Sequence, residues 1–435
     1  MDLTLRYGRT GLLVSLPDPH VRRVLRFRPL PPAEDPAAAV RAALAAPLGC
    51  APLREIARGR RDACLVTSDI TRPVPNALLI PALLEELAAA GLSPQRVTVL
   101  IGTGLHRANT PDELREILGQ RVLDSGVRVV NHVARNREEQ VDLGDTPRGT
   151  PAHLDRTYVE ADLKLAVSLV EPHLMAGFSG GRKALCPGIC GAETIRAFHG
   201  PALLDPEEAC AGLLDGNPVH EEALAVAILA GRPDFTANVT LNESRQLTGV
   251  FAGDLIDAHL AAVRRSVQQS KVALPEPVDI VVTTNAGHPL DLTFYQGVKG
   301  MVAALPVLKP GGTILIAHEC AEGLGGPEFT DLLLSVDDPH EYVRRTWDPS
   351  VFTIDQWQLH ELVKVLRHAG EVLNVCDGVP PELAARCFVS PVASVEEGLA
   401  HALRKHGPDA SVAVIPEGPY VLACLAGDRV DRQSL

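Results

Sequence analysis

The chain has 435 residues, 46% of them apolar and 22% charged, with a formal net charge of −13. That length predicts more than one domain, and the composition excludes a disordered chain. The acidic balance argues against a nucleic-acid partner, since such binding rests on Lys and Arg neutralising phosphates.

The first residues, MDLTLRYGRTGLLVSLPD, lack the apolar core of a secretory signal. No apolar run reaches the roughly 18 residues of a membrane span. The nine cysteines are scattered and odd in number, which predicts a reducing cytoplasm rather than a disulfide framework. Cys186 and Cys190 lie close together without a second cysteine pair at zinc-ribbon spacing, and they are read as structural thiols.

In chain order, Ala63-Cys64-Leu65-Val66-Thr67 reads as a strand running into Ser68-Asp69-Ile70-Thr71-Arg72-Pro73. Apolar residues at helical spacing around Leu78, Leu83 and Leu87 follow. Val97 to Ile101 is a second strand, entering Gly102-Thr103-Gly104-Leu105-His106-Arg107. Thr110-Pro111 then opens a helix with a cap and a proline at its first position. Leu165 to Val170 feeds Glu171-Pro172-His173-Leu174-Met175-Ala176-Gly177-Phe178-Ser179-Gly180-Gly181-Arg182-Lys183, with His199 beyond.

A polar helix ends near Gln269, and Val272 to Pro277 reads as a linker because its two prolines disfavour helix. Strands at Val278–Thr284, Gly312–Ala317 and Val412–Pro416 belong to a second series, with a helix carrying Tyr295-Gln296-Gly297-Val298-Lys299-Gly300. Strands alternating with helices predict an α/β fold with mostly parallel sheets flanked by helices. The expected division is 1–270 and 271–435, the C-terminal tail packing back on the first domain and a ligand lying in the cleft between them.

Ligands of such sheets bind beyond the carboxyl ends of strands, and three polar motifs fall there. His106 and His173 each suit general acid–base work, against the plain reading of loop histidines bonded to backbone. Lys183 follows two glycines and precedes Cys186-Pro187-Gly188, so an ordered turn competes with a solvated surface lysine. A desolvated amine there could be a nucleophile, and His199 a metal ligand. Lys183 is followed by Ala184, which rules out a Walker A loop. Asp69, Thr71 and Arg72 suit an anion, or simply a capped helix with a surface Arg. Tyr295, Gln296 and Lys299 share a helix face and could line the cleft. No nucleophile elbow, zincin motif or dinucleotide fingerprint competes. Other histidines, such as His20, His132, His153, His360 and His401, default to surface or structural roles.

Taken in order, these motifs resemble the nickel-dependent lactate racemase family from about residue 8 to at least Trp357. The resemblance implies a racemase or epimerase of a 2-hydroxy acid holding a nickel-pincer nucleotide, a pyridinium mononucleotide with a thioamide and a thiocarboxylate. Lys183 would tether it, loaded by cofactor-synthesis enzymes, and His199 would ligate nickel. Asp69, Thr71, Arg72, Gly180 and Gly181 would help fix the nucleotide. His106 and His173 would be the acid–base pair. Arg72, Tyr295, Gln296 and Lys299 would hold substrate, with Trp357 shielding the site. Lactate, malate and longer or sugar acids all fit; a diacid needs a further cation, for which Arg107 and Arg182 are candidates. Two other classes remain at this stage: a hydrolase or lyase with zinc or iron on His106, His173 and His199, and a nucleotide-binding module without turnover.

Overall fold

The computed structural model describes residues 1–428 and 430. It separates into two compact units, and the division is not a single cut near 270. Residues 29–199 and 213–268 form the first unit, whereas 1–28, 200–212 and 269–430 form the second. The amino-terminal segment was not assigned to the later half because its strands are only four residues long; one of them, Val21–Val24, joins the second unit's main sheet. The last residues, 431–435, lie outside the described part of the chain.

The first unit is built on a six-stranded sheet. Its spatial order is Leu247–Gly253, Phe235–Leu241, Leu163–Leu169, Ala63–Ser68, Val97–Gly102 and Arg128–Asn131. All neighbours are parallel except the edge pair Phe235–Leu241 and Leu247–Gly253. Strands such as Ala63–Ser68 and Leu163–Leu169 are buried almost throughout, as expected where both faces of a parallel sheet are covered. Leu65, Val99, Val167 and Val239 pack into one core with Leu79, Leu83 and Leu87 of the helix Asn76–Ala89.

The chain leaves the central strand Ala63–Ser68 for Val97–Gly102 on one side and later returns to Leu163–Leu169 on the other. This reversal of strand order opens a crevice at the carboxyl ends. The loops leaving these three adjacent strands carry Asp69 to Arg72, His106, and Glu171 to Lys183.

The second unit repeats the logic with an all-parallel six-stranded sheet. Its order is Ser390–Pro391, Glu371–Val375, Leu308–Ala317, Val278–Thr284, Val412–Ile415 and Val21–Val24. The stretch read as a linker instead contains the strand Lys271–Leu274, paired in parallel with Leu422–Leu425. Its prolines, Pro275 and Pro277, fall after the strand, where they need donate nothing. All nine cysteines are free thiols. No helix among the described residues is long and apolar enough to cross a membrane.

Thr110 caps the helix Pro111–Leu118 in full. Its hydroxyl accepts from Glu113 N at 3.3 Å, and the Glu113 carboxylate accepts from Thr110 N at 2.8 Å. The Thr110→Ala variant should therefore lose about 1 kcal/mol, read as a lower urea midpoint with unchanged far-UV circular dichroism, and Thr110→Ser should recover most of it.

Candidate active site

The Glu171–Lys183 loop is shaped from its backbone outward. Pro172–His173 and Gly177–Phe178 form a short antiparallel pair. Gly180 then sits at φ +77°, where an added Cβ would lie 2.6 Å from Val170 Cγ2 and 3.0 Å from Leu169 O. Only glycine tolerates both the left-handed backbone and that closeness. Gly181 N donates to Asn238 Oδ1 at 3.2 Å, fixing the following turn to the neighbouring strand.

Arg182 points inward and is 2% exposed. Its guanidinium donates to Ala176 O at 2.7 Å and Gly180 O at 3.4 Å, and lies 3.1 Å from His259 Nε2. Burial draws its pKa down to about 9. This residue therefore braces the loop rather than meeting a ligand anion. Arg107 is also committed, to Glu113 at 2.6 and 2.7 Å.

Lys183 keeps part of its side chain open to solvent, yet its amine is enclosed and sits 5.8 Å from the Phe198 ring centroid. Desolvation, followed by repulsion from Arg182 and Arg72, pulls the ammonium down to about 7. Such an amine is a nucleophile near neutrality.

His199 closes the helix Ala192–Phe198 and packs edge-on to Phe198, ring centroids 5.1 Å apart. Burial lowers its imidazole to about 4, with Lys183 adding to the effect against a main-chain hydrogen bond. Nδ1 faces Ile195 O at 2.9 Å and so carries the proton. The neutral ring thus has its lone pair on Nε2, the arrangement of a metal-ligating histidine oriented by a backbone carbonyl.

Asp69, which the family resemblance places at the nucleotide, is bound here to two side chains. Its Oδ2 lies 2.7 Å from His106 Nδ1, while Oδ1 accepts from the Thr71 hydroxyl at 2.5 Å and Thr71 N at 3.1 Å. Burial alone would raise this carboxyl, but the bonds from His106 and Thr71 outweigh it and hold it below its usual value. The His106 ring is therefore oriented by a carboxylate, which keeps a proton on Nδ1 and leaves the lone pair of the neutral ring on Nε2.

His173 is held the opposite way. Its Nδ1 accepts from Met175 N at 3.3 Å and Ala176 N at 3.4 Å, so a neutral ring carries its proton on Nε2. Arg72 donates to Glu171 at 3.2 Å. Nothing in the local sequence of Glu171 points to this partner 99 residues away.

In the second unit, the helix Phe294–Val302 starts at the Thr293 cap and presents Lys299, whose Nζ donates to Gln296 Oε1 at 2.5 Å. Trp357 Nε1 donates to the Tyr295 hydroxyl at 3.0 Å, and that hydroxyl donates to Asp355 at 3.3 Å. Tyr295 and Trp357 thus form one hydrogen-bonded pair and Gln296 and Lys299 another, with Tyr295, Gln296 and Lys299 on the same helix. Among the described residues, His106, His173 and His199 do not gather as a three-donor group with ligand atoms within 4.8 Å of one another.

The first unit thus brings two differently held histidines, a desolvated amine and a neutral buried imidazole onto the loops at the carboxyl ends of a parallel sheet, where ligands of such folds bind. Residues 7–211 match the model of the lactate racemase N-terminal domain and 274–423 that of the C-terminal domain. Lactate racemase of Thermoanaerobacterium thermosaccharolyticum is 34% identical over 428 residues, covering 97% of this chain and 99% of that protein. Lactate racemase of Lactiplantibacillus plantarum is 35% identical over 378 residues, covering 86% and 88%. The apoprotein structure of the Thermoanaerobacterium enzyme superposes with a TM-score of 0.90 at 34% identity, covering 97% of this chain and 100% of that one. A Thermotoga maritima protein shares the fold, with a TM-score of 0.67 at 19% identity. The chain belongs to the lactate racemase family and is an isomerase.

The enclosed amine gives a direct expectation. Acylation of Lys183 in cofactor-free protein, followed by peptide mass spectrometry across pH, should rise with a midpoint near 7, while surface lysines still gain reactivity well above it. A midpoint near 10 would mean that the amine is solvated.

Proposed function

We propose that this isomerase racemises lactate through a nickel-pincer nucleotide tethered at Lys183. The observation that carries the reading is that a Lys183 amine drawn down to about 7 and a neutral His199 rest against the same Phe198 ring. A partly deprotonated amine suits an amide-type tether, and a buried neutral imidazole suits a nickel ion with soft sulfur ligands. Lys183 would hold the nucleotide and His199 its metal, with Gly180 and Gly181 allowing the backbone close to it. The chemistry supplied by the bound group is reversible hydride acceptance.

Every other part of the reaction falls to side chains. Arg72 meets the substrate carboxylate as a planar donor, with Glu171 keeping the guanidinium aligned until substrate competes for it. Lys299 and Gln296 supply donors for the substrate oxygens, and Trp357 steadies Tyr295 beside them. His106 removes the hydroxyl proton through Nε2 as C2 becomes planar. His173 presents its Nε2–H to the substrate oxygen and, once protonated to imidazolium, returns a proton to the keto oxygen when the opposite enantiomer forms, leaving a neutral ring. Two bases with opposite resting tautomers suit a reaction that must run equally in both directions.

Lactate is favoured over malate because Arg107 and Arg182, the cations named for a second carboxylate, are bound to Glu113 and to the loop backbone. Loading by cofactor-synthesis enzymes and work in the cytoplasm complete the reading, supported by the nine free thiols.

Protein produced with the cofactor-synthesis enzymes should interconvert both lactate enantiomers in a chiral assay and show added mass on Lys183. Loaded protein that carries the adduct but racemises malate faster would move the substrate assignment; absence of both adduct and nickel would remove the proposal. Asp69→Asn should lower kcat by about 10- to 100-fold with little change in KM, because the amide can present the wrong tautomer to His106. The carboxylate is ionised above its depressed pKa, so its contribution persists at neutral pH and fades only as pH falls through that low value.

A further inference from the structure

Outside these motifs, the second unit gathers three metal-binding side chains at the carboxyl ends of two adjacent parallel strands. Ala317 and Val375 are register partners at the ends of Leu308–Ala317 and Glu371–Val375. His318 and Cys376 come next in each chain segment, and Cys320 lies two residues past His318. Their donor atoms all fall within 4.8 Å of one another. Tetrahedral zinc with sulfur ligands needs about 3.8 Å between sulfurs, a separation that side-chain rotation can supply.

Three independent features point to a ligand. His318 is 0% exposed and its Nε2 lies 2.6 Å from Asn374 Oδ1, leaving Nδ1 as the lone-pair nitrogen, buried and without a hydrogen-bond partner. That is the oriented tautomer of a metal-ligating histidine. Asp291 is equally buried; its Oδ2 accepts from Gly8 N at 2.6 Å and Glu319 N at 3.2 Å, but Oδ1 has no partner. Its main-chain oxygen accepts from Cys320 N at 2.7 Å, so this carboxylate lies beside the cluster and favours a cation. Cys320 holds a left-handed backbone at φ +50°, unusual for a residue with a Cβ.

We propose that His318, Cys320 and Cys376 bind a thiophilic divalent cation of the zinc class, separate from the nickel assigned to His199. Binding deprotonates both thiols, releasing two protons to solvent, and leaves a fourth coordination position on the half-buried Cys376 side. Asn374 is a positioning residue that fixes the imidazole, and Asp291 balances charge.

The test uses the full chain, reduced, metal-stripped and cofactor-free. Zn2+ titration should give one tightly held equivalent that survives gel filtration and protects two thiols from a disulfide reagent. Co2+ should give a thiolate-to-metal charge-transfer band. His199→Ala should retain both results. Cys376→Ser, at the most exposed ligand, should lose the band while keeping the native circular dichroism. Asn374→Ala, with every donor intact, should weaken Zn2+ by about 10- to 100-fold. Binding that His199→Ala abolishes, or that Cys376→Ser leaves unchanged, overturns the proposal. So does a Cys320–Cys376 crosslink under mild oxidant in protein that retains no metal.

Discussion

Burying the Arg182 guanidinium against carbonyl oxygens and an imidazole sets the conditions for the whole Glu171–Lys183 loop. A desolvated cation without a carboxylate is unfavourable unless its hydrogen bonds are well made. Ala176 O and Gly180 O supply them, and in doing so they fix the backbone on both sides of Phe178 and Ser179. The same positive charge then acts on its neighbour: Lys183, already poorly solvated, is further discouraged from holding a proton. One buried residue thus shapes the turn and prepares the amine, two effects that separate substitutions would otherwise have to produce.

His106 and His173 illustrate how backbone and side-chain partners choose a proton's place. The Asp69 carboxylate can only accept, so it demands a proton on His106 Nδ1. The Met175 and Ala176 N–H groups can only donate, so they demand a bare Nδ1 on His173. Neither constraint depends on a bound substrate. The unequal resting states are built into loops leaving the two parallel strands that flank Ala63–Ser68, the strand whose own loop carries Asp69.

Much of this was legible from sequence because it is local. Buried parallel strands read as continuous apolar runs, the Thr110 box as a cap, and Gly180-Gly181 as a turn. What was not legible depends on long-range pairing. The contact between Asp69 and His106 spans 37 positions, which no local pattern reports. Arg182 looked like a ligand contact because no spacing rule tells an inward guanidinium from an outward one. Val272-Ala273-Leu274 became a strand only because Leu422–Leu425 lies beside it, and Val21–Val24 joined the later half through a partner nearly four hundred residues on.

The second unit carries the same dependence of a functional group on a buried imidazole. Gly297 lies within the motif that presents Gln296 and Lys299, and a Cβ there would stand 2.0 Å from His318 Nδ1. The glycine is therefore required by the ring behind it as well as by the helix. The His318 ring, held at Nε2 by Asn374 Oδ1, is thus packed against the helix Phe294–Val302 at a residue without a Cβ, between Gln296 and Lys299. A larger side chain at position 297 would have to displace either the ring or the helix, so the strand end and the face that carries Lys299 are positioned together.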